Sequence, residues 1–373
     1  MIPLSISKLI DYMEQLAPSS MALEWDNVGL QLGSPQEKTQ KILVALDVNE
    51  LVLNEAIDSG ADLIVSHHPL IFRPLPALRT DLYEGRILAK ALSAGIRIFA
   101  AHTNLDMAAG GVNDALAKCL GLQEPEVLRV SEHENLEKIV VYIPQGFEDK
   151  IRDAMNCAGA GWIGSYSHCS FQTPGTSTFL PGEGTQPFIG SHGKLERVDE
   201  IRLETIAASS VRSSVIKAML DAHPYEEVAY DIYSLENKGK PIGLGRIGTN
   251  PFPCTLAEYC MLVKEKLKVS HLRVVGDESQ IIKKVAVCGG AGTDLIAEAS
   301  LKHADVLVTG DLKYHEAQNA NSAGLAIIDA GHDATEKVII PVLCSYLKEK
   351  ISLGGFSTTV IPSITETIPW RFL

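Results

Sequence analysis

No two cysteines of this 373-residue chain form a C-x-x-C pair, and the seven present, at 119, 157, 169, 254, 260, 288 and 344, are odd in number. That argues against a disulfide framework and against a cysteine-ligated zinc site, and fits reduced thiols in a cytoplasm. Positive charge is also short: 33 Lys and Arg against 46 Asp and Glu leave a formal net charge of −13. A protein that grips nucleic-acid phosphates needs a basic face, and the composition offers no global sign of one. Long apolar runs are missing too. No stretch reaches the ~18 residues that a membrane span requires. The N-terminal MIPLSISKLIDYMEQLAP carries Asp11 and Glu14 where a signal peptide would be apolar. The expectation is a cytoplasmic protein with no membrane and no nucleic acid among its partners. What is present is an ordinary globular mixture, 46% hydrophobic and 21% charged, with material for two or three domains.

The outer segments, 1–130 and 241–373, read as alternating strands and helices. In the first, apolar runs at 42–48, 62–66 and 96–102 are separated by helical stretches at 50–59 and 84–94, and a helix follows at 112–120. Short buried strands between helices indicate an α/β architecture with a largely parallel sheet. The last third repeats the plan with strands at 284–290, 304–310 and 325–331 and a helix at 334–348. The likeness is also local. Ala61-Asp62-Leu63-Ile64-Val65 echoes Ala304-Asp305-Val306-Leu307-Val308, and His102-x3-Asp106 shares its spacing with His332-x3-Glu336. Two similar α/β halves facing each other are expected, although buried strands rich in Val, Ile and Ala resemble one another by chance. Between them, 131–240 has a different composition. Its order β-α-β-β-α-β is the ferredoxin-like α+β pattern of an inserted domain, with a Gly/Ser/Thr/Pro-rich stretch at 159–193 reading as turns and an extended hairpin.

His67 and His68 stand where a strand ends, the favoured address for ligands in α/β sheets. Neighbouring strand residues point to opposite faces, so one metal each suits the pair better than one metal for both. A structural histidine pair is the competing reading. His332 and Glu336, four apart, share one helix face and can bind one metal or span two; helix capping is the alternative for the carboxylate. Asp106 follows the strand at 96–102 and completes the set, or caps a helix. Nitrogen and oxygen donors without thiolate suit zinc first, and also manganese, iron or cobalt. Five side chains underfill two coordination spheres and leave positive charge, which calls for water or a small anionic ligand. His102 is a candidate proton carrier, or a plain core histidine. Asp311, Tyr314 and His315 are candidates for the substrate side. Gly243-x-Gly245-x-x-Gly248 matches a dinucleotide fingerprint only as a string, since Pro251 and Pro253 separate it from the next helix. Gly289-Gly290-Ala291-Gly292 lies between strand and helix, where amides can face an anion or simply make a tight turn.

Glu24-Trp25-Asp26-Asn27-Val28-Gly29-Leu30, Ser66-His67-His68-Pro69, Ala101-His102-Thr103-Asn104-Leu105-Asp106, Thr309-Gly310-Asp311 and Gly331-His332-x3-Glu336 together resemble the GTP cyclohydrolase I type 2 homolog family, also called NGG-interacting-factor-three-like. The middle segment, with His223-Pro224-Tyr225-Glu226, is similar to the PII-like or CutA-like inserts of longer bacterial members. The resemblance implies two divalent metal ions per chain at His67, His68, Asp106, His332 and Glu336. It also implies a toroidal homohexamer, a trimer of dimers with its sites facing an inner cavity. A metal-dependent hydrolase of a small anionic or nucleotide-like substrate is the expected function; a non-catalytic metal-handling or ligand-sensing protein is the alternative.

Overall fold

In the computed structural model, which describes residues 2–371, Leu43, Ile64 and Ile98 lie side by side in three parallel strands, Lys41–Ala45, Leu63–Ser66 and Arg97–Ala100. The strands are apolar on both faces because both faces are covered, as parallel sheets require. Gly29–Leu32 adds an antiparallel edge beside the third strand, and Thr359–Pro362 a parallel one beside the first. Helix Glu50–Ser59 starts where the Asn49 side chain accepts the Val52 N–H and stops at Gly60, whose φ of 70° suits a residue without Cβ.

The later segment builds the same arrangement. Ile281–Val287, Val306–Thr309 and Ala326–Asp329 are parallel, and Arg273–Val275 lies antiparallel beside the third. In both sheets the antiparallel edge precedes the parallel strands in sequence yet pairs with the last of them. Asp62 and Asp305 do the same work in the two sheets: each carboxylate accepts backbone N–H groups at the start of the neighbouring strand, from Gln40 and from Lys283 and Lys284. The outer strand beside the first is where the sheets differ, parallel at Thr359–Pro362 and antiparallel in Tyr230–Thr255.

The halves interlock through their last helices. Ile339–Leu353, from the end of the chain, packs Leu343, Leu347 and Ile351 into one core with Ile42, Val44, Leu63 and Val65 of the first sheet. Helix Val112–Cys119, from the first segment, contributes Leu116 and Ala117 to the core of Val285, Val306 and Ile328 in the second sheet. Each half closes the other.

The chain divides into two compact units, one joining everything up to Ser131 with everything from Ile242 onward, the other Glu132–Pro241. Within the second unit the order along the sheet is the first part of Tyr230–Thr255, the last part of Gln123–Pro144, Glu196–Ala208 and Ser170–Phe179, with helices Glu148–Cys157 and Arg212–Ala222. This is a β-α-β-β-α-β chain folded as a split βαβ. Ile139, Val141, Leu203, Ile151, Met155, Val215 and Met219 form its own core. The 159–193 stretch is less regular than expected: only Ser170–Phe179 becomes a strand, and it pairs with Glu196–Ala208 rather than with a strand inside the stretch. Gly243, Gly245 and Gly248 lie within strand Tyr230–Thr255, so the glycine string opens no helix. Among the described residues no helix is long and apolar enough to cross a membrane.

Candidate metal centre

The first unit gathers its histidines at the carboxyl ends of strands. His67 and His68 directly follow Leu63–Ser66, where backbone bonds from their N–H groups to the Ala45 and Leu46 carbonyls hold the chain straight past the strand end. His102 follows Arg97–Ala100 and precedes the one-turn helix Thr103–Met107, which carries Asp106. His332 and Glu336 begin and end the one-turn helix His332–Glu336. The expected longer helix there is broken into two pieces, and this first turn carries both donors on one face.

Three sets of donor atoms lie within 4.8 Å of one another: His67, Asp106 and Glu336; His68, His332 and Glu336; and His67, His68 and His102. Glu336 belongs to the first two. Its Oε1 is 3.6 Å from His67 Nε2 and 3.2 Å from His332 Nε2, and its Oε2 is 2.9 Å from His68 Nε2. Asp106 Oδ1 lies 3.6 Å from His67 Nε2. His68 and His332 bring their Nε2 atoms to 3.3 Å. The two consecutive histidines separate in the two sets that contain Glu336 and come together in the third, with His102.

Every one of the four rings is held by its other nitrogen. His67 Nδ1 is 2.9 Å from the Ala101 carbonyl, His68 Nδ1 2.7 Å from Asp47, His102 Nδ1 2.8 Å from Asp26 and His332 Nδ1 2.8 Å from Asp311. An acceptor on Nδ1 fixes the tautomer and leaves Nε2 as a lone-pair donor, the usual outer arrangement of metal-binding histidines. Three buried atoms at the centre, His67 Nε2, Asp106 Oδ1 and Glu336 Oε2, make no hydrogen bond of proper geometry. Buried polar atoms without partners are costly, and here they converge from different elements on one place. The residues thus fit a cation-binding centre.

Proton affinities reflect the crowding. Burial is the largest influence on His68 and would lower it, yet Asp47 and Glu336 outweigh it and raise the imidazole to about 10. Glu336 itself, with Asp311, raises His332 to about 9. Burial pushes Asp106 up to about 6 against the pull of His67. Burial also opposes the charge on Glu336, but the surrounding imidazoles prevail and hold it well below the carboxylate range. Asp26, although burial works against its charge, is lowered to about 2 by His102 and Thr103, so it faces His102 as a carboxylate. Such opposed shifts within one cluster mark functional sites.

Glycine supplies the room. Gly290 has φ +63°, and a Cβ there would lie 2.2 Å from Glu336 Oε1 and 3.1 Å from His332 Nε2. The amides of Gly289 and Gly290 are taken by Asn113 and Thr335 side chains, and that of Gly292 by Thr309. The glycine run is therefore a tight floor beneath Glu336 and not an anion cradle. Asp311 takes an orienting place behind His332 instead of the substrate side. Tyr314 and His315 do not join the cluster: their rings contact each other at 5.3 Å, and both pair with Gln318. Asp47 and the orienting role of Asp26 escaped sequence reasoning. Asp47 had a legible signal, since it lies just past strand Lys41–Ala45; Asp26 is 76 residues from its histidine and had none.

Relatives share this chain along its whole length. It is 46% identical over 366 residues to the GTP cyclohydrolase 1 type 2 homolog of Bacillus subtilis, covering 98% of each protein. The crystal structure of a Bacillus cereus protein related to NIF3 superposes with a TM-score of 0.90 at 45% identity, covering both chains in full. A Staphylococcus aureus protein superposes with a TM-score of 0.73 at 30% identity, again over both full chains. The Duf34/NIF3 (NGG1p interacting factor 3) profile matches residues 4–369, and the chain belongs to that family.

Proposed function

We propose that this protein is a metal-dependent hydrolase in which His67, Asp106 and Glu336 hold one divalent cation, His68, His332 and Glu336 hold a second, and the substrate is a small anion of nucleotide-like size. The observation that carries the reading is the carboxylate of Glu336 shared between two three-donor sets, each with its imidazoles anchored through Nδ1. Three side-chain donors per cation leave open positions, as catalytic centres do. A pair of divalent ions held there would acidify water and polarise a phosphoryl or carbonyl oxygen. Zinc suits the nitrogen and oxygen donors first, with manganese, iron and cobalt also compatible.

The chain's own residues have separable tasks. Glu336 balances charge between the two sets. Asp47 and Asp311 keep His68 and His332 from turning. His102, set on Asp26 at 2.8 Å and with its ring 5.3 and 5.5 Å from those of His67 and His68, would take a proton from a reacting water and return it to a leaving group. Trp25 and Phe72 flank the His102 ring. The likeness to the GTP cyclohydrolase 1 type 2 homolog of Bacillus subtilis makes ring opening of GTP the first reaction to try. On the family resemblance we also propose a homohexamer, a trimer of dimers, checked by light scattering on the eluted protein.

Elemental analysis of the purified protein tests the centre. Wild type should carry near two metal ions per chain, and His68→Ala and Glu336→Ala far fewer; little metal in wild type after reloading with each candidate ion refutes the proposal. A screen of nucleotides and other small phosphate or carbonyl anions with reloaded protein tests the hydrolase assignment, and turnover no greater than that of Glu336→Ala rejects it. The second reading, a metal-handling or ligand-sensing protein without turnover, is favoured by the cavity inside the inserted unit.

A further inference from the structure

The inserted unit contains a cavity of about 450 Å3, within the size range of small-molecule sites. Its wall includes Tyr142, Phe179, Phe188 and Tyr225, with the carboxylates of Glu200 and Glu226. No Lys, Arg or His is among the lining residues. Phe188 stands at 6.1 Å from the Tyr225 ring and 5.9 Å from Phe147, so the aromatic wall is braced by ring contacts.

Glu200 is the unusual member. It is 5% exposed, on strand Glu196–Ala208. Tyr225 donates its hydroxyl to Oε1 at 2.8 Å, and Ser177 donates its hydroxyl to Oε2. Both donors are neutral, and among the described residues no cationic side chain forms an ion pair with Glu200. A carboxylate oxygen accepts up to two bonds, so each has capacity to spare. A buried carboxylate without a countercharge is expensive. The same residues supply what a cation lacks elsewhere: aromatic faces, whose negative quadrupoles attract ammonium groups.

We propose that this cavity is a binding site for an organic cation, an amine or quaternary ammonium with an apolar body, whose charged head sits against Glu200 and whose body packs on Phe179, Phe188 and Tyr225. The site is separate from the metal centre, since its residues all lie in the inserted unit. It requires no metal and no reaction.

The test is calorimetric titration of the full-length protein with benzyltrimethylammonium and, as a charge-reversed comparison, phenylacetate. The expected result is one cation bound per chain and no phenylacetate bound. Glu200→Gln keeps the shape and should weaken binding about tenfold or more. Phe188→Ala, at a half-exposed position of the wall, should also weaken it, with circular dichroism reporting that the variant is folded. His68→Ala should leave it unchanged, which separates this site from the metal centre. The proposal is overturned by absence of binding at millimolar probe, by phenylacetate binding as well as the cation, or by unchanged affinity in both insert variants.

Discussion

Asp47 and Asp311 hold His68 and His332 from behind, at 2.7 and 2.8 Å. Removing such an orienting acceptor typically costs 10–100-fold in metal affinity. Asp47→Asn and Asp311→Asn are therefore expected to weaken metal binding by about that factor while leaving the fold intact, as read by competition with a chelator and by circular dichroism. A residue of the inserted unit gives a separate pH signature. His223 donates from Nε2 to the Tyr142 carbonyl and accepts the Tyr225 N–H at Nδ1, so its bonds require the neutral ring. Burial, the largest influence, lowers its proton affinity below the ordinary 6.5. The unfolded chain then takes up the proton first as pH falls. Stability from this group is fully present above 6.5 and is lost as pH drops through the lower, folded value. Thermal melts of wild type should show this decline below pH 6.5, and His223→Asn should show a shallower one from a lower starting stability. The ligand candidates were legible in the chain because their strands end in His-His, in His-x3-Asp and in His-x3-Glu. Their acceptors were less so: Asp47 showed only as a carboxylate just past a strand, and Asp26 reaches its histidine only through the fold.

The last helices of the two halves are the elements that tie the two sheets around the candidate metal centre. Leu347 and Leu116 are fully buried, each in the core of the opposite sheet. Leu→Ala at a buried site costs about 2–5 kcal/mol. Leu347→Ala and Leu116→Ala should each destabilise both halves together, seen as a lower denaturant midpoint in a single transition for the unit they form. Separate transitions for the two halves would show that the exchange does not couple them. The repeat itself could be anticipated from Ala61–Val65 and Ala304–Val308, which became second strands of like-ordered sheets. The exchange could not. An amphipathic helix advertises an apolar face, but periodicity does not say which of two similar sheets receives it.

For the whole molecule, the six candidate site residues all lie in the unit formed by the two chain ends, and the cavity residues all lie in Glu132–Pro241. Arg129 and Gly243 run side by side, so close that a Cβ on Gly243 would lie 1.9 Å from the Arg129 carbonyl oxygen. A short turn in place of the insert can therefore join the strands. The deletion variant is expected to retain its metal content and to lose benzyltrimethylammonium binding, measured by elemental analysis and calorimetry. Loss of metal on deletion would make the insert part of the metal centre's support.

By itself the sequence determined the α/β class of its outer segments, the β-α-β-β-α-β order of the middle and which side chains were candidate donors, because strand and helix periods, and donor types at strand ends, are local properties of the chain. The tertiary structure decided how those donors divide. Glu336 is shared by two sets, four imidazoles are pinned through Nδ1, and Gly290 yields its side-chain space to a carboxylate. These are matters of distance between segments up to a few hundred residues apart, and only the packing of one half against the other sets them.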